Sequence, residues 1–327
     1  MKTGVLGSGS WGTAIVKTIF DKGQDEVYWW LRQQKNYEYV LRYGRNARYL
    51  RSVDIDLKPK YLSTEIQYII SESEVLIFCV PSMFLKTILK DVDKNSIKDK
   101  IVVSAIKGTT DGQLISSFFE KEYGIDSSHF IFLTGPSHAE EVVNNMKTYL
   151  TLASFSEENS LILKKILENE FIECNISKDV KGLQYTSALK NIYAIAAGVC
   201  RGLGYGDNFI SVLIANAIRE ISLLVDSCCP CNRNMFDSAY LGDLMVTCFS
   251  QFSRNRTFGE MIGHGYSVQT ALLELNMIPE GYFAIKHFYS FSKELKTEMK
   301  ILTAVNEIFF ENADVHTEIL KLENSIS

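Results

Sequence analysis

The sequence of 327 residues is long enough for two domains, and its 46% hydrophobic and 22% charged residues are typical of a folded globular protein. Its formal net charge of −5 lacks the basic excess of proteins that bind a phosphate backbone, so no nucleic-acid partner is expected. We find neither a signal-peptide core nor a run of about 18 apolar residues, which predicts a cytoplasmic protein without a membrane span.

Short β-branched runs alternate with helical patterns in the first half of the chain. They lie at 3–6, 26–31, 74–80, 100–106 and 130–134, and two further runs at 149–154 and 171–176 extend the series. Continuous apolar strands separated by helices are typical of a parallel sheet that is covered on both faces.

The second half changes to apolar residues at helical spacing, with almost no strand pattern. These segments lie at 180–201, 208–228, 258–275 and 292–311. The predicted fold class is therefore α/β, with an N-terminal Rossmann-like doubly wound parallel sheet in a dinucleotide-binding domain, 1–180. An all-α substrate and catalytic domain, 181–327, follows it.

A glycine-rich turn, G-S-G-S-W-G, connects the first predicted strand to the first helical pattern through Gly7, Gly9 and Gly12. Glycines in this context allow a tight turn and close approach of the backbone, and the free amides of the helix start face a pyrophosphate. A turn of the same kind without a ligand is the less favoured alternative. The motif predicts a dinucleotide site.

Arg32 follows the second predicted strand, at the position where NAD-selective sites usually have an acid that accepts the ribose hydroxyls. An arginine there tolerates or pairs with a 2′-phosphate, so use of NADPH is plausible; a merely solvent-exposed arginine is the competing interpretation. The basic segment 42–51 is either a solvated helix face or loop, or lies near a cofactor phosphate.

Lys190 lies in an otherwise apolar helical pattern, on a different face from the apolar stripe. That stripe consists of Leu189, Ile192, Ile195, Ala196 and Val199. If the lysine lines a dry cleft next to the domain boundary, its pKa falls toward the range useful for proton transfer. If it extends to solvent from an amphipathic helix, it has no such role. This segment alone leaves both interpretations open.

Two later segments favour the functional interpretation. Asp243 and Thr247 are spaced to share one helical face, and Ser253, Arg254 and Asn255 form a compact set of donors suited to a small phosphate. With the turn T-G-P-S-H-A at 134–139, they supply an acid and an anion site to accompany the lysine.

The seven cysteines are predicted to be reduced. Four lie in apolar surroundings, Cys79, Cys174, Cys200 and Cys248. Three more, Cys228, Cys229 and Cys231, lack a second pair or a histidine that would complete a zinc site, so we interpret them as buried thiols at a helix end. The histidines are dispersed, and no metal is expected.

Eight motifs in order make the sequence similar to the NAD(P)-dependent sn-glycerol-3-phosphate dehydrogenases over nearly its whole length. They are G-S-G-S-W-G-T-A, V-P-S, K-G at 107–108, G-P-S-H-A, A-L-K-N-I-Y-A-I-A-A-G, L-G-D-L-M-V-T-C, S-R-N-R-T-F-G and P-E-G-Y. The resemblance implies reversible oxidation of glycerol 3-phosphate to dihydroxyacetone phosphate with NAD or NADP. It also implies a homodimer that supplies glycerophospholipid synthesis.

The resemblance further implies roles for individual residues. Lys190 is the expected proton acceptor, assisted by Asn191, Asp243, Thr247 and Lys107. The expected substrate contacts are Lys107, Gly135, Ser137, Lys190, Asp243, Ser253, Arg254 and Asn255. The expected dinucleotide contacts are Gly7, Gly9, Ser10, Trp11, Gly12, Arg32, Lys107, Ala139, Arg254, Ile278 and Glu280.

Three positions depart from the family pattern. Tyr240 replaces the usual glycine before L-G-D-L, which either narrows the cleft or reshapes a turn. Pro279 replaces a usual valine beside Glu280, and His138 lies where another side chain is common.

Two other functions compete with this one. A β-hydroxyacid or 6-phosphogluconate dehydrogenase also uses a helix lysine, but it requires a carboxylate clamp that S-R-N-R fits less well than it fits a phosphate. A non-catalytic NAD(P)-binding sensor needs only the glycine turn, and would not need Lys190, Asp243 and the phosphate donors.

Overall fold

The computed structural model describes residues 1–23, 26–275 and 279–327. The strands are β1 (Lys2–Leu6), β2 (Glu26–Trp30), β3 (Leu62–Ser63), β4 (Val75–Phe78), β5 (Ile101–Ser104), β6 (Thr109–Thr110), β7 (Gln113–Leu114), β8 (Phe130–Thr134), β9 (Thr148–Ala153) and β10 (Ile172–Ser177). The helices are α1 (Ser10–Lys22), α2 (Gln34–Tyr43), α3 (Ile66–Glu72), α4 (Leu85–Leu89), α5 (Ile115–Tyr123), α6 (Ala139–Val143), α7 (Glu157–Leu167), α8 (Val180–Gly202), α9 (Asp207–Cys228), α10 (Asp243–Phe249), α11 (Arg254–Gly263), α12 (Val268–Glu274), α13 (Glu280–Glu294), α14 (Lys300–Phe310) and α15 (Val315–Glu323).

The chain divides into two compact units. The first consists of Met1–Ile106 and Gln113–Val180, and the second of Lys107–Gly112 and Lys181–Ser327. The sequence predicted a continuous first domain, 1–180, whereas the short segment Lys107–Gly112 belongs to the second unit. One reason is local, since the side-chain amide of Asn191 donates a hydrogen bond to the carbonyl of Lys107 over 3.1 Å.

The first unit contains an eight-stranded sheet in the order β10-β9-β8-β5-β4-β1-β2-β3. Its neighbouring strands are parallel except for β8 and β9, which are antiparallel. The predicted doubly wound sheet is therefore confirmed, and the runs at 149–154 and 171–176 do extend it. Strand β2 lies on one side of β1 and β4 on the other, so the direction in which strands are added to the sheet reverses at β1. Ligands of such sheets bind at this point of reversal.

Apolar side chains occupy both faces of the central strands. All four residues of β4 are buried, as are the last four of β1, which explains why these strands have continuous apolar sequences rather than alternating ones.

The second unit is helical, as predicted, but two of the expected helices are each divided in two. The pattern at 258–275 forms α11 and α12, with Gly265 at φ 89° between them. The pattern at 292–311 covers the end of α13 and all of α14, with Lys296 at φ 54° between them. A residue in the left-handed region ends a helix, and the apolar periodicity does not reveal it.

Helices α8 and α11 pack with their backbones in direct contact. A Cβ atom on Gly198 would lie 2.0 Å from the carbonyl oxygen of Arg256, and one on Gly259 would lie 2.0 Å from that of Ile195. Gly202 and Gly263 repeat the arrangement one turn later. No other residue fits at this distance, so the glycines fix the helix that contains Lys190 against the helix that begins at Arg254.

We expect Gly259→Ala to lower the free energy of unfolding by about 3 kcal/mol or more, because the helices must separate to admit the methyl group. Urea unfolding monitored by circular dichroism measures the change. Gly206→Ala is the matched control, since a Cβ there meets no atom within 4 Å and the loss should stay below about 1 kcal/mol. Equal losses in the two variants would contradict the close-contact explanation.

Helix α9 is long and apolar enough to cross a membrane by length and composition, although we expected no such segment from the sequence. Half of its most apolar window is buried inside the protein, and buried core helices pass the same test. Arg219 and Glu220 lie within the helix, and the Glu220 carboxylate accepts a hydrogen bond from the backbone of Ile301, at the start of α14.

Candidate functional site

The turn between β1 and α1 depends on two of its three glycines for its shape. Gly7 has φ 132°, and a Cβ atom there would lie 2.4 Å from the carbonyl oxygen of Cys79, directly after β4. A Cβ on Gly12 would lie 2.2 Å from the carbonyl oxygen of Gly7. The backbone can therefore close the turn at the reversal point of the sheet only with glycine at both positions.

The start of α1 is suited to a bound anion. Gly9 precedes the helix and provides no side-chain cap, the first turn has no acidic residue, and a Cβ on Gly9 would meet no atom within 4 Å. The indole Nε1 of Trp11 is buried and has no hydrogen-bond partner within the described part of the chain. Free amides at a helix start attract phosphate, so Gly9, Ser10 and Trp11 fit a dinucleotide pyrophosphate.

Asn46 lies in the segment after α2 and binds this turn, and the sequence analysis missed it. Its side chain is fully buried and donates hydrogen bonds to the carbonyl of Ser8 over 3.0 Å and to the hydroxyl of Thr13 over 2.9 Å. Its own oxygen accepts from the backbone amides of Arg48 and Tyr49. The basic segment 42–51 is thereby attached to the glycine turn, and the only sequence signal was an asparagine within a cationic stretch.

Arg32 follows β2 and is exposed, with its guanidinium 5.7 Å from the ring centre of Phe84. A cation held over an aromatic face keeps its donors available for an anion. This placement agrees with either of the two interpretations of Arg32, since a free arginine and a phosphate-binding arginine are both exposed in the absence of ligand.

The G-P-S-H-A turn follows β8 in the first unit. Gly135 has φ 116°, and the hydroxyl of Ser137 donates to the carbonyl of Gly135 over 2.9 Å. Ala139 is buried and begins α6, directly after His138. The turn therefore leads into a helix start, like the turn that precedes α1.

Lys190 and Asp243 form a buried ion pair in the second unit. The Nζ atom of Lys190 contacts Oδ1 of Asp243, and the two side chains are 2% and 1% exposed. Lys190 is thus not a surface lysine, which resolves the question that its helix left open. Two opposite charges taken out of water together remain stable only as a pair.

Burial lowers the pKa of Lys190 from its ordinary 10.5 to about 7. The loss of hydration is the main cause, and the positive charge of Lys107 lowers the value further, whereas Asp243 opposes the shift. An amine with a pKa near neutrality can both accept and donate a proton under physiological conditions.

The residues beside this pair are held by hydrogen bonds within the same unit. Asn191 contacts the backbone of Lys107, as described above, and the hydroxyl of Thr247 donates to the carbonyl of Asp243 over 2.5 Å. Tyr240 is buried in a π-helical turn, Ser238–Gly242, that directly precedes α10 and Asp243. Tyr240, which replaces the family's usual glycine, therefore lies in the turn that leads directly to Asp243.

The start of α11 presents the S-R-N-R residues. Ser253 caps the helix by accepting a hydrogen bond from the amide of Arg256, and Asn255 accepts one from the amide of Gly281 over 3.0 Å. Arg256 pairs with Glu260 over 3.1 Å. The side chain of Arg254 has no ion pair or hydrogen bond to any described residue, so of these two arginines it is the one available to a ligand.

Glu280 begins α13 after Pro279. A Cβ atom on the next residue, Gly281, would lie 2.6 Å from the carbonyl oxygen of Asn191, so the start of α13 packs against α8 beside Lys190. The predicted contact of Ile278 falls outside the described residues.

Over residues 1–23, 26–275 and 279–327, no group of three or more histidine, cysteine or acidic side chains is arranged to hold a metal ion. The side chains of the candidate site described above can bind anions and transfer a proton.

Comparison with known families identifies both halves of the chain. Residues 2–160 match the N-terminal region, and residues 179–320 the C-terminal region, of NAD-dependent glycerol-3-phosphate dehydrogenase.

Individual relatives agree with the family match. The chain is 35% identical to the glycerol-3-phosphate dehydrogenase [NAD(P)+] of Thermoanaerobacter sp. (strain X514), covering 98% of this chain and 96% of that one. It is 33% identical to that of Chlorobium phaeobacteroides (strain DSM 266 / SMG 266 / 2430), covering 99% and 98%. The crystal structure of glycerol-3-phosphate dehydrogenase from Coxiella burnetii is similar with a TM-score of 0.90 at 26% identity, covering 98% of each chain.

Proposed function

Because this chain belongs to the NAD(P)-dependent glycerol-3-phosphate dehydrogenases, we propose that it interconverts sn-glycerol 3-phosphate and dihydroxyacetone phosphate with Lys190 as the proton carrier. The observation that supports this role most directly is the buried ion pair of Lys190 and Asp243, in which the lysine has a pKa of about 7.

The first unit provides the residues suited to the dinucleotide. Gly9, Ser10 and Trp11 would hold the pyrophosphate at the start of α1, and Arg32 would face the adenosine ribose. When bound, the cofactor supplies or accepts a hydride at nicotinamide C4. An arginine at this position would accommodate the 2′-phosphate of NADPH, so we include NADPH as well as NADH in the proposal.

The second unit provides the proton and the phosphate site. In the reductive direction the ammonium of Lys190 would protonate the carbonyl oxygen at C2 of dihydroxyacetone phosphate; in the oxidative direction its neutral amine would accept the proton of the C2 hydroxyl. Asp243 stabilises the ammonium form and fixes its position. The side chain of Asn191 binds the backbone carbonyl of Lys107, and the side chain of Thr247 binds that of Asp243.

Arg254 would bind the substrate phosphate with its planar guanidinium, with the hydroxyl of Ser253 and the amide of Asn255 beside it. Ser253 accepts a hydrogen bond as a helix cap, which leaves its O–H free to donate. We retain Lys107, Gly135 and Ser137 as substrate contacts, and Lys107, Ala139, Arg254 and Glu280 as cofactor contacts.

The pKa of Lys190 predicts opposite pH profiles for the two directions. Oxidation of glycerol 3-phosphate requires the neutral amine, so kcat/KM should rise by about tenfold per pH unit below pH 7 and level off above it. Reduction requires the ammonium, so kcat/KM should fall above the same pH. Initial rates in both directions across neutral pH measure this, and parallel profiles would contradict the assignment.

Substrate competition tests the proposed function. We expect rapid oxidation of NADPH or NADH with dihydroxyacetone phosphate, and little with 2-keto acids or β-keto acids, because Arg254 and Ser253 suit a phosphate. Preference for the acids would favour a hydroxyacid dehydrogenase. Tight cofactor binding without turnover of any of these substrates would favour a sensor.

We further propose that the enzyme is a cytoplasmic homodimer that supplies glycerol 3-phosphate to phospholipid synthesis. The free cysteines Cys79, Cys174, Cys200 and Cys248 agree with a reducing compartment. Light scattering of the purified protein tests the dimer.

A further inference from the structure

Three cysteines lie within four residues where α9 ends. The expectation that they are buried is wrong, because Cys228 and Cys229 are half-buried and Cys231 is exposed. The thiol of Cys228 donates to the sulfur of Cys229, with 3.6 Å between the two sulfur atoms. A disulfide bond needs a separation of about 2.05 Å, which these two sulfur atoms can reach by rotation of their side chains together with adjustment of the backbone between them.

Arg233 brings a positive charge to Cys229. One of its guanidinium nitrogens lies 3.9 Å from the sulfur of Cys229 and donates to the carbonyl of the same residue. Another guanidinium nitrogen pairs with Asp226, and the arginine side chain is only 3% exposed. A guanidinium beside a cysteine sulfur favours the thiolate, the form that reacts with oxidants.

The other four cysteines have the opposite environment. Burial raises the pKa of Cys79, Cys174, Cys200 and Cys248 to about 12, from an ordinary value of 9.0. Each pKa unit reduces the thiolate fraction tenfold, so these thiols are roughly a thousandfold less ionised than an ordinary cysteine at neutral pH. Cys174, Cys200 and Cys248 are also buried, whereas Cys79 is half-buried. The cluster at the end of α9 is therefore the place where we expect an oxidant to react first.

We propose that Cys228 and Cys229 form a peroxide-sensitive thiol pair, in which Cys229 is the reacting sulfur and Cys228 the resolving sulfur. The assignment follows from the contacts, because the guanidinium of Arg233 lies beside the sulfur of Cys229, whereas the sulfur of Cys228 lies 3.8 Å from the carbonyl oxygen of Val225, an acceptor that favours its S–H form.

The chemistry balances with hydrogen peroxide as the oxidant. The thiolate of Cys229 attacks one peroxide oxygen, the O–O bond breaks, and a sulfenic acid and hydroxide form. The thiol of Cys228 then attacks the sulfur of the sulfenic acid, a disulfide bond forms, and one water leaves. Two thiols are oxidised by two electrons in total while one peroxide is reduced to two waters.

The product is a disulfide between neighbouring residues, whose Cα atoms are about 3.8 Å apart across a trans peptide, closer than in most disulfides. Such a bond is strained and therefore easily reduced, so ordinary thiols should return the pair to its original state. The modification is reversible rather than a permanent crosslink.

The test uses the whole protein with hydrogen peroxide, followed by alkylation of the remaining thiols and mass spectrometry of the peptide 220–233. We expect this peptide to lose two hydrogen atoms and two alkylation sites, reversibly with dithiothreitol, at least about a hundred times faster than the other four cysteines react. Cys229→Ser should abolish the reaction. Cys228→Ser should leave a sulfenic acid on Cys229 that dimedone traps.

Cys231→Ser is the matched control, because it keeps the reacting pair and removes the most exposed thiol; it should still form the disulfide. The proposal is overturned if Cys231→Ser prevents the loss of thiols, if Cys229→Ser still loses them, or if peroxide leaves all seven thiols free. Because the readout is mass rather than turnover, the result is independent of the proposed dehydrogenase activity.

Discussion

Replacement of Lys190 by methionine should lower kcat for reduction of dihydroxyacetone phosphate by about a hundredfold to ten-thousandfold, the range of a positioned general acid. Methionine keeps much of the side-chain volume but has no proton to donate. Binding of NADPH, followed by quenching of the tryptophan fluorescence, should stay near normal, because the glycine turn lies in the first unit. Stopped-flow or steady-state rates of cofactor oxidation measure the loss.

A second variant separates catalysis from folding. Removal of Lys190 leaves the carboxylate of Asp243, 1% exposed, without its counter-charge, which destabilises a protein by roughly 3–5 kcal/mol. The double variant Lys190→Met/Asp243→Leu removes both charges and should recover most of that stability while remaining inactive. If Lys190→Met turns over substrate at a near-normal rate, the lysine is not the proton carrier.

Replacement of Arg254 by alanine should lower kcat/KM for dihydroxyacetone phosphate by about a hundredfold, because a charge-assisted hydrogen bond contributes about 1.5–3 kcal/mol. The loss should be much smaller for dihydroxyacetone, which has no phosphate. The ratio of kcat/KM for the two substrates is therefore the measurement, and it is insensitive to the fraction of folded enzyme.

Arg254→Lys tests the geometry of the interaction at constant charge. Lysine cannot form the planar bidentate contact, so the ratio should recover only in part. Arg256→Lys is a control on the same helix. Because Arg256 is already paired with Glu260, this substitution should leave the ratio of kcat/KM values unchanged. If Arg254→Ala lowers kcat/KM equally for both substrates, the proposed contact between Arg254 and the phosphate is wrong.

The sheet and the glycine turn could be predicted from the sequence, because both depend on local pattern. Buried parallel strands need continuous apolar runs, and the closed turn tolerates only glycine at 7 and 12. The paired acid of Lys190 was inferred from a family resemblance. The burial of Lys190 could be seen only in the structure, since the helical pattern of 183–199 is equally compatible with an exposed lysine.

Other features depend on contacts between distant residues, which periodicity does not reveal. Asn46 is bonded to the turn at Ser8 across 38 positions, and Lys107 to Asn191 across 84. The breaks between α11 and α12 and between α13 and α14 arise from single residues with positive φ, of which Lys296 is not a residue type that signals a turn. Such features require a three-dimensional description.

The direct backbone contact between α8 and α11 also affects how the second unit fluctuates. With no side chains between Gly198 and Arg256 or between Gly259 and Ile195, neither helix can shift without displacing the other. Their amide protons should therefore exchange with deuterated solvent through a common opening event, as one cooperative unit. Lys190 and Arg254 would then lose their positions together or keep them together, and partial loosening of only one of them would be rare.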